Sequence, residues 1–119
     1  MKVLLVDDEE ELVSTLAERL SFRGIDVGWA TGGESALQKI SEQRYDVAVL
    51  DMKMPKITGL ELKKELAEKC PHMKYIFMTG HGSEEDFKRV ASEAGTEYYL
   101  VKPVKIEDLV QKLNEVFGT

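Results

Sequence analysis

Three short apolar runs constrain this chain more than any other feature: "KVLLV" (2–6), "VAVL" (47–50) and "YIFM" (75–78). Each is bounded by polar or glycine-containing turns, and each lacks the polar alternation of a strand with one wet face. They read as strands buried on both faces, the pattern of a parallel sheet covered by helices. Two weaker runs, "DVGWA" (26–30) and "YYLV" (98–101), extend the series. In the first, Val27 and Trp29 alternate with smaller residues, which predicts an edge strand.

Amphipathic segments separate the runs. Leu12, Val13, Leu16 and Leu20 fall on one face at helical spacing, as do Phe87, Val90, Ala91 and Ala94. A last helix carries Ile106, Leu109, Val110, Leu113, Val116 and Phe117, and shorter helices are predicted near 33–42 and 58–69. Gly24 and Gly95 stand where C-terminal caps belong. The order is strand–helix five times over. That predicts an α/β fold, a doubly wound five-stranded parallel sheet with right-handed crossovers and five helices on both faces. With 119 residues, 43% hydrophobic, and no repeat or linker, the chain holds material for one core, so residues 1–119 are expected to form a single domain.

The net charge of −6 argues against a nucleic-acid-binding face. No apolar run approaches the roughly 18 residues of a membrane span. "MKVLLVDDEE" turns acidic too early for a signal peptide, and the only cysteine, Cys70, permits no internal disulfide. A cytoplasmic location is the expectation that follows. Cys70, His72 and His81 form no recognised metal-ligand spacing.

In such a sheet, ligands bind beyond the carboxyl ends of the strands, at a topological switch point. Those ends carry Asp7-Asp8 followed by Glu9 and Glu10, then Asp51, Thr79-Gly80 and Lys102-Pro103. Each has an ordinary reading when taken singly. An acid caps a helix, an aspartate or threonine ends a strand in a turn, and a lysine precedes a proline at the surface. Together they bring three carboxylates, a hydroxyl and an ammonium to one edge of one sheet. Crowded carboxylates repel unless a cation sits among them, and all-oxygen ligands select a hard ion. Mg²⁺ suits one or two carboxylates together with a phosphate oxygen. Lys102 offers a point charge to a phosphoryl oxygen, Thr79 a hydrogen bond, and Asp51 a nucleophile able to form an aspartyl phosphate.

With these residues in view, the chain resembles the receiver domains of two-component response regulators. The stretches that carry the resemblance are "VLLVDDEE", "VAVLDMKMPKITGLEL", "MTGHGSEED" and "YYLVKPV", spread over nearly the whole length. The resemblance implies a sheet of flavodoxin-like order 2-1-3-4-5. It implies a signalling switch that catalyses its own phosphorylation and dephosphorylation without being a conventional turnover enzyme. Asp51 matches the phosphoryl acceptor. Asp7, Asp8 and Asp51, with the main-chain carbonyl of Lys53, match the Mg²⁺ ligands, Asp8 being favoured over Asp7 as the direct one. Thr79 and Lys102 match the hydroxyl and ammonium that contact the phosphoryl group, and the Lys102–Pro103 bond would be cis. Tyr99 matches the switch aromatic, with a plain strand-edge aromatic as the other reading. Lys53 and His81 occupy side-chain positions that tune dephosphorylation.

The implied partners are a sensor histidine kinase or phosphotransfer protein and a downstream effector domain or protein. A second copy of the chain is a further one, on the face from the fourth to the fifth predicted helix. Gly80, Thr96 and Val104 depart from the residues the family commonly has there, and Glu97-Tyr98 stands where winged-helix regulators often carry an acidic pair. None of these touches the chemistry. Tyr75 and Tyr98 read as core or sheet-face residues.

Three other readings compete. An aspartate-nucleophile phosphatase typically needs a second acid two residues beyond the nucleophile, where Lys53 stands. A flavin-binding module needs a phosphate-cradling loop after the first strand, where "DDEEE" repels phosphate. A degenerate receiver, acting as a phosphorylation-independent interaction module, has no need of the full set Asp7, Asp8, Asp51, Thr79 and Lys102.

Overall fold

The computed structural model describes residues 1–80 and 98–117. The apolar runs form strands β1 (Lys2–Val6), β3 (Val47–Asp51) and β4 (Lys74–Thr79), and the weaker runs form β2 (Asp26–Ala30) and β5 (Tyr99–Val101). The helices are α1 (Glu10–Phe22), α2 (Gly33–Glu42), α3 (Gly59–Lys69) and α4 (Ile106–Val116). The sheet is parallel throughout, in the order β2-β1-β3-β4-β5. The helix expected across Phe87–Ala94, its Gly95 cap, and His81, Thr96 and Glu97 lie outside the described residues.

Side chains on a strand alternate between faces, and here both faces are apolar. Val3, Leu5, Val47, Val49, Ile76 and Met78 point to one side and meet α1 and α4 through Val13, Leu16, Leu20, Leu109 and Leu113. Leu4, Val6, Ala48, Leu50, Tyr75 and Phe77 point to the other and meet α2 and α3 through Ala36, Ile40, Leu62 and Leu66. Every residue of β3 is buried, which accounts for its unbroken apolar run. β2 lies at an edge with Val27 and Trp29 only partly covered. Tyr98, read from the sequence as a core or sheet-face residue, instead precedes β5 and is exposed, whereas Tyr75 is buried.

Two local devices fix the helix ends. Gly24 follows α1 at φ +79, a left-handed conformation that costs a residue with a side chain roughly 1–2 kcal/mol. There the Gly24 amide donates to the Ser21 carbonyl at 2.9 Å and the Ile25 amide to the Leu20 carbonyl at 3.2 Å, a Schellman cap. α3 starts on a capping box: the Glu61 amide donates to Thr58 Oγ1 at 3.1 Å, and the Thr58 amide donates to Glu61 Oε1 at 2.9 Å. Among the described residues no helix is long and apolar enough to cross a membrane.

Candidate functional site

The strand order reverses at β1, which has β2 on one side and β3 on the other. This is the switch point, and Asp7 and Asp51 leave the sheet there. The backbone ladder runs one residue past the strands. The Asp7 amide donates to the Ala30 carbonyl (3.2 Å), the Met52 amide to the Met78 carbonyl (2.8 Å) and the Lys102 amide to the Thr79 carbonyl (2.8 Å). The main chain at Asp7 and Lys102, and just beyond Asp51, is therefore tied to the neighbouring strand.

Carboxylate oxygens of Asp7, Asp8 and Asp51 lie within 4.8 Å of one another. Asp7 and Asp51 are buried and Asp8 is exposed. The Lys102 ammonium reaches both buried carboxylates and an exposed one: its Nζ lies 2.7 Å from Asp7 Oδ2, 3.4 Å from Asp51 Oδ2 and 3.2 Å from Glu9 Oε1. The Lys102–Pro103 peptide is cis. Thr79 is buried at the end of β4, its hydroxyl 3.5 Å from the Gly80 carbonyl, so it retains the capacity for a better acceptor. Tyr99 is partly buried on the α2–α3 side of the sheet, and Lys53 is exposed. A cavity of about 340 Å³ opens beside Asp8, between the start of α2 and the loop through Met54, Pro55 and Ile57.

Burial shapes the electrostatics. It raises the pKa of Asp51, the charge on Asp7 raises it further, and Lys102 and the Lys53 amide offset only part of this; the result is about 6. Asp7 is also raised, because burial outweighs its bonds from Lys102 and from the Glu9 amide, the latter at 2.9 Å. For Lys102, burial alone lowers the pKa, but the close ion pair with Asp7, the charge of Asp51 and the hydrogen bond to Glu9 push it up to about 12. The site thus holds more negative charge than one lysine neutralises. Its three-carboxylate, all-oxygen donor set fits a hard divalent ion such as Mg²⁺.

The structure brings together Asp7, Asp8, Asp51 and Lys102, with Thr79 on the neighbouring strand end. Two contributors escape sequence reasoning. Glu9 shares the Lys102 ammonium, and the only sequence signal was its place in the acidic run after β1. Gly59 packs on the main chain of Asp51, a role that a single glycine after a loop does not announce.

Residues 3–114 match the family model of the response regulator receiver domain. The two-component response regulator PhoP of Pseudomonas aeruginosa is 36% identical over 114 residues, covering 96% of this chain and 50% of that protein. The response regulator MprA of Mycobacterium leprae is 34% identical, covering 95% of this chain and 49% of that one. The chain spans about half the length of these relatives. Among solved structures, a response regulator receiver domain protein from Clostridium thermocellum superposes with a TM-score of 0.86 at 34% identity, covering 98% of this chain and 94% of the other. The chemotaxis protein CheY4 of Vibrio cholerae gives 0.87 at 29% identity and 97% coverage of both. This chain belongs to the response regulator receiver domain family, the signal-transduction module of two-component systems.

Proposed function

We propose that the chain is a phosphorylation-activated switch whose acceptor is Asp51. The observation that carries this reading is the meeting of three carboxylates and one ammonium at the switch point, around a buried carboxylate with a pKa of about 6. At neutral pH that group is largely ionised, the form in which a carboxylate oxygen can attack phosphorus.

The reaction balances simply. An Asp51 carboxylate oxygen bonds to phosphorus of a phosphohistidine on a sensor histidine kinase or phosphotransfer protein. The P–N bond breaks, and the imidazole leaves with the electron pair and takes a proton. Asp7, Asp8 and Asp51 would hold Mg²⁺, with the main-chain oxygen of Lys53 as a further ligand, and the ion would supply positive charge to offset that on the phosphoryl oxygens. Lys102, already held by Asp7, turns to a phosphoryl oxygen as a point charge. The buried Thr79 hydroxyl donates to another. Tyr99, whose strand pairs with β4 so that Val101 lies opposite Thr79, follows Thr79 inward. The surface around β5 and α4 then changes its affinity for an effector domain, an effector protein or a second copy of the chain. Phosphorylation acts by favouring one of two existing states, and hydrolysis of the acyl phosphate resets the switch.

The test is intact mass after incubation with acetyl phosphate, with and without Mg²⁺. A gain of one phosphoryl group that needs Mg²⁺ and disappears in Asp51→Asn supports the switch. No gain under either condition supports a phosphorylation-independent interaction module instead.

A further inference from the structure

Gly59 opens α3 directly behind the residue on which the site is built. It is buried, and its amide donates to the Met52 carbonyl at 3.1 Å. A Cβ at this position would stand 2.7 Å from the main-chain oxygen of Asp51, 3.2 Å from Met52 Cα and 3.3 Å from the Asp51 carbonyl carbon. All three are backbone atoms, so no rotamer change makes room. Gly59 is not at positive φ, so close approach rather than backbone conformation is what requires glycine here.

Neither side of the contact can yield freely. Asp51 ends a strand paired on both sides, with Asp51 opposite Met78 and the Met52 amide bonded to the Met78 carbonyl. α3 is fixed by the Thr58–Glu61 capping box and by the buried Leu62 and Leu66. Gly32, at the start of α2, has a different setting: a Cβ there meets nothing within 4 Å.

We infer that Gly59 is a positioning residue for the phosphoryl-accepting carboxylate. By bringing only a Cα against the Asp51–Met52 main chain, it sets the depth of Asp51 relative to Lys102 and Asp7. The inference rests on the reading of Asp51 as acceptor. A methyl group at residue 59 displaces the Asp51–Met52 main chain by several tenths of an ångström. Since a misplacement of about 1 Å in a reacting geometry costs on the order of 100-fold, roughly tenfold is expected here.

The experiment compares the wild type, Gly59→Ala, Gly32→Ala and Thr58→Ala with acetyl phosphate and Mg²⁺, at a temperature where circular dichroism shows each chain folded. The expected result is a maximal phosphorylation rate about tenfold lower in Gly59→Ala, with the half-saturating donor concentration unchanged. Gly32→Ala keeps the wild-type rate. So does Thr58→Ala, which weakens the same helix end without adding an atom against Asp51. A folded Gly59→Ala with the wild-type rate overturns the inference, whatever its melting temperature, and so does an equal loss of rate in Thr58→Ala. If Gly59→Ala is unfolded in buffer, it is compared with the wild type in trimethylamine N-oxide, which favours compact states. A chain still unfolded there makes Gly59 a folding requirement and overturns the positioning role. A wild type that accepts no phosphoryl group refutes the acceptor reading itself, a result distinct from all of these.

Discussion

The Nζ of Lys102 stands 2.7 Å from Oδ2 of Asp7, nearer than to Asp51 at 3.4 Å. The lysine is thus anchored by the side chain that has no exposed surface and shared with the one proposed to react. This arrangement stores a cation beside the acceptor while leaving it free to turn.

Removing that cation leaves buried charge uncompensated. Lys102→Met is expected to lose roughly 3 kcal/mol of stability at neutral pH, the usual scale for breaking a buried pair from one side. The loss shrinks as pH falls, because protonated Asp7 and Asp51 need no cation. Chemical denaturation at pH 7.5 and pH 4.5 checks this, and an equal loss at both values contradicts it.

In metal-free solution the acidic cluster opposes folding. Asp51 has a folded pKa of about 6 against an ordinary 3.8, and Asp7 is raised in the same direction. A raised acid binds its proton more tightly in the folded state, so stability falls as pH rises from about 4 to about 6 and is level above. Lys102, raised to about 12, contributes a constant amount across this window, lost only as pH rises through that value. Asp51→Asn therefore folds more stably than the wild type at pH 7 in a chelator, by on the order of 2 kcal/mol, and the advantage fades at pH 4. Mg²⁺ narrows it by stabilising the wild type. Paired unfolding curves with and without Mg²⁺ measure both effects, and a less stable Asn variant in chelator is the contrary result.

Away from the site, Gly28 on edge strand β2 leaves room for a tyrosine. A Cβ at Gly28 would collide with the Tyr45 hydroxyl, and Tyr45 is buried beneath Lys2, whose Nζ lies 5.4 Å from the ring centre. Gly28→Ala is expected to cost about 1–3 kcal/mol through overpacking. In the Tyr45→Phe background most of that cost vanishes, since the colliding atom is gone. A double-mutant cycle measures the coupling, and additive effects refute the collision.

Much of this was legible in the residues. The apolar runs of β1, β3 and β4 mark strands because both their faces are covered, and Gly24 marks the end of α1 because only glycine adopts its φ cheaply. Asp7, Asp8, Asp51, Thr79 and Lys102 stand out because a parallel α/β sheet collects its strand ends on one edge. What spacing does not encode is which partner a long side chain selects. Lys102 holds Asp7 most closely and takes in Glu9, a choice made by burial and side-chain reach. Close main-chain approach, as at Gly59, is likewise a property of packing rather than pattern. Tyr98 looked apolar enough for the interior but falls one residue before its strand.

Borohydride trapping followed by peptide mapping tests whether Asp51 itself carries the phosphoryl group. Borohydride reduces an acyl phosphate and converts aspartate to homoserine. After treatment with acetyl phosphate and Mg²⁺, homoserine is expected at residue 51 and at no other aspartate. Homoserine at Asp7 or Asp8, or none in a protein that has gained a phosphoryl group, would contradict that expectation.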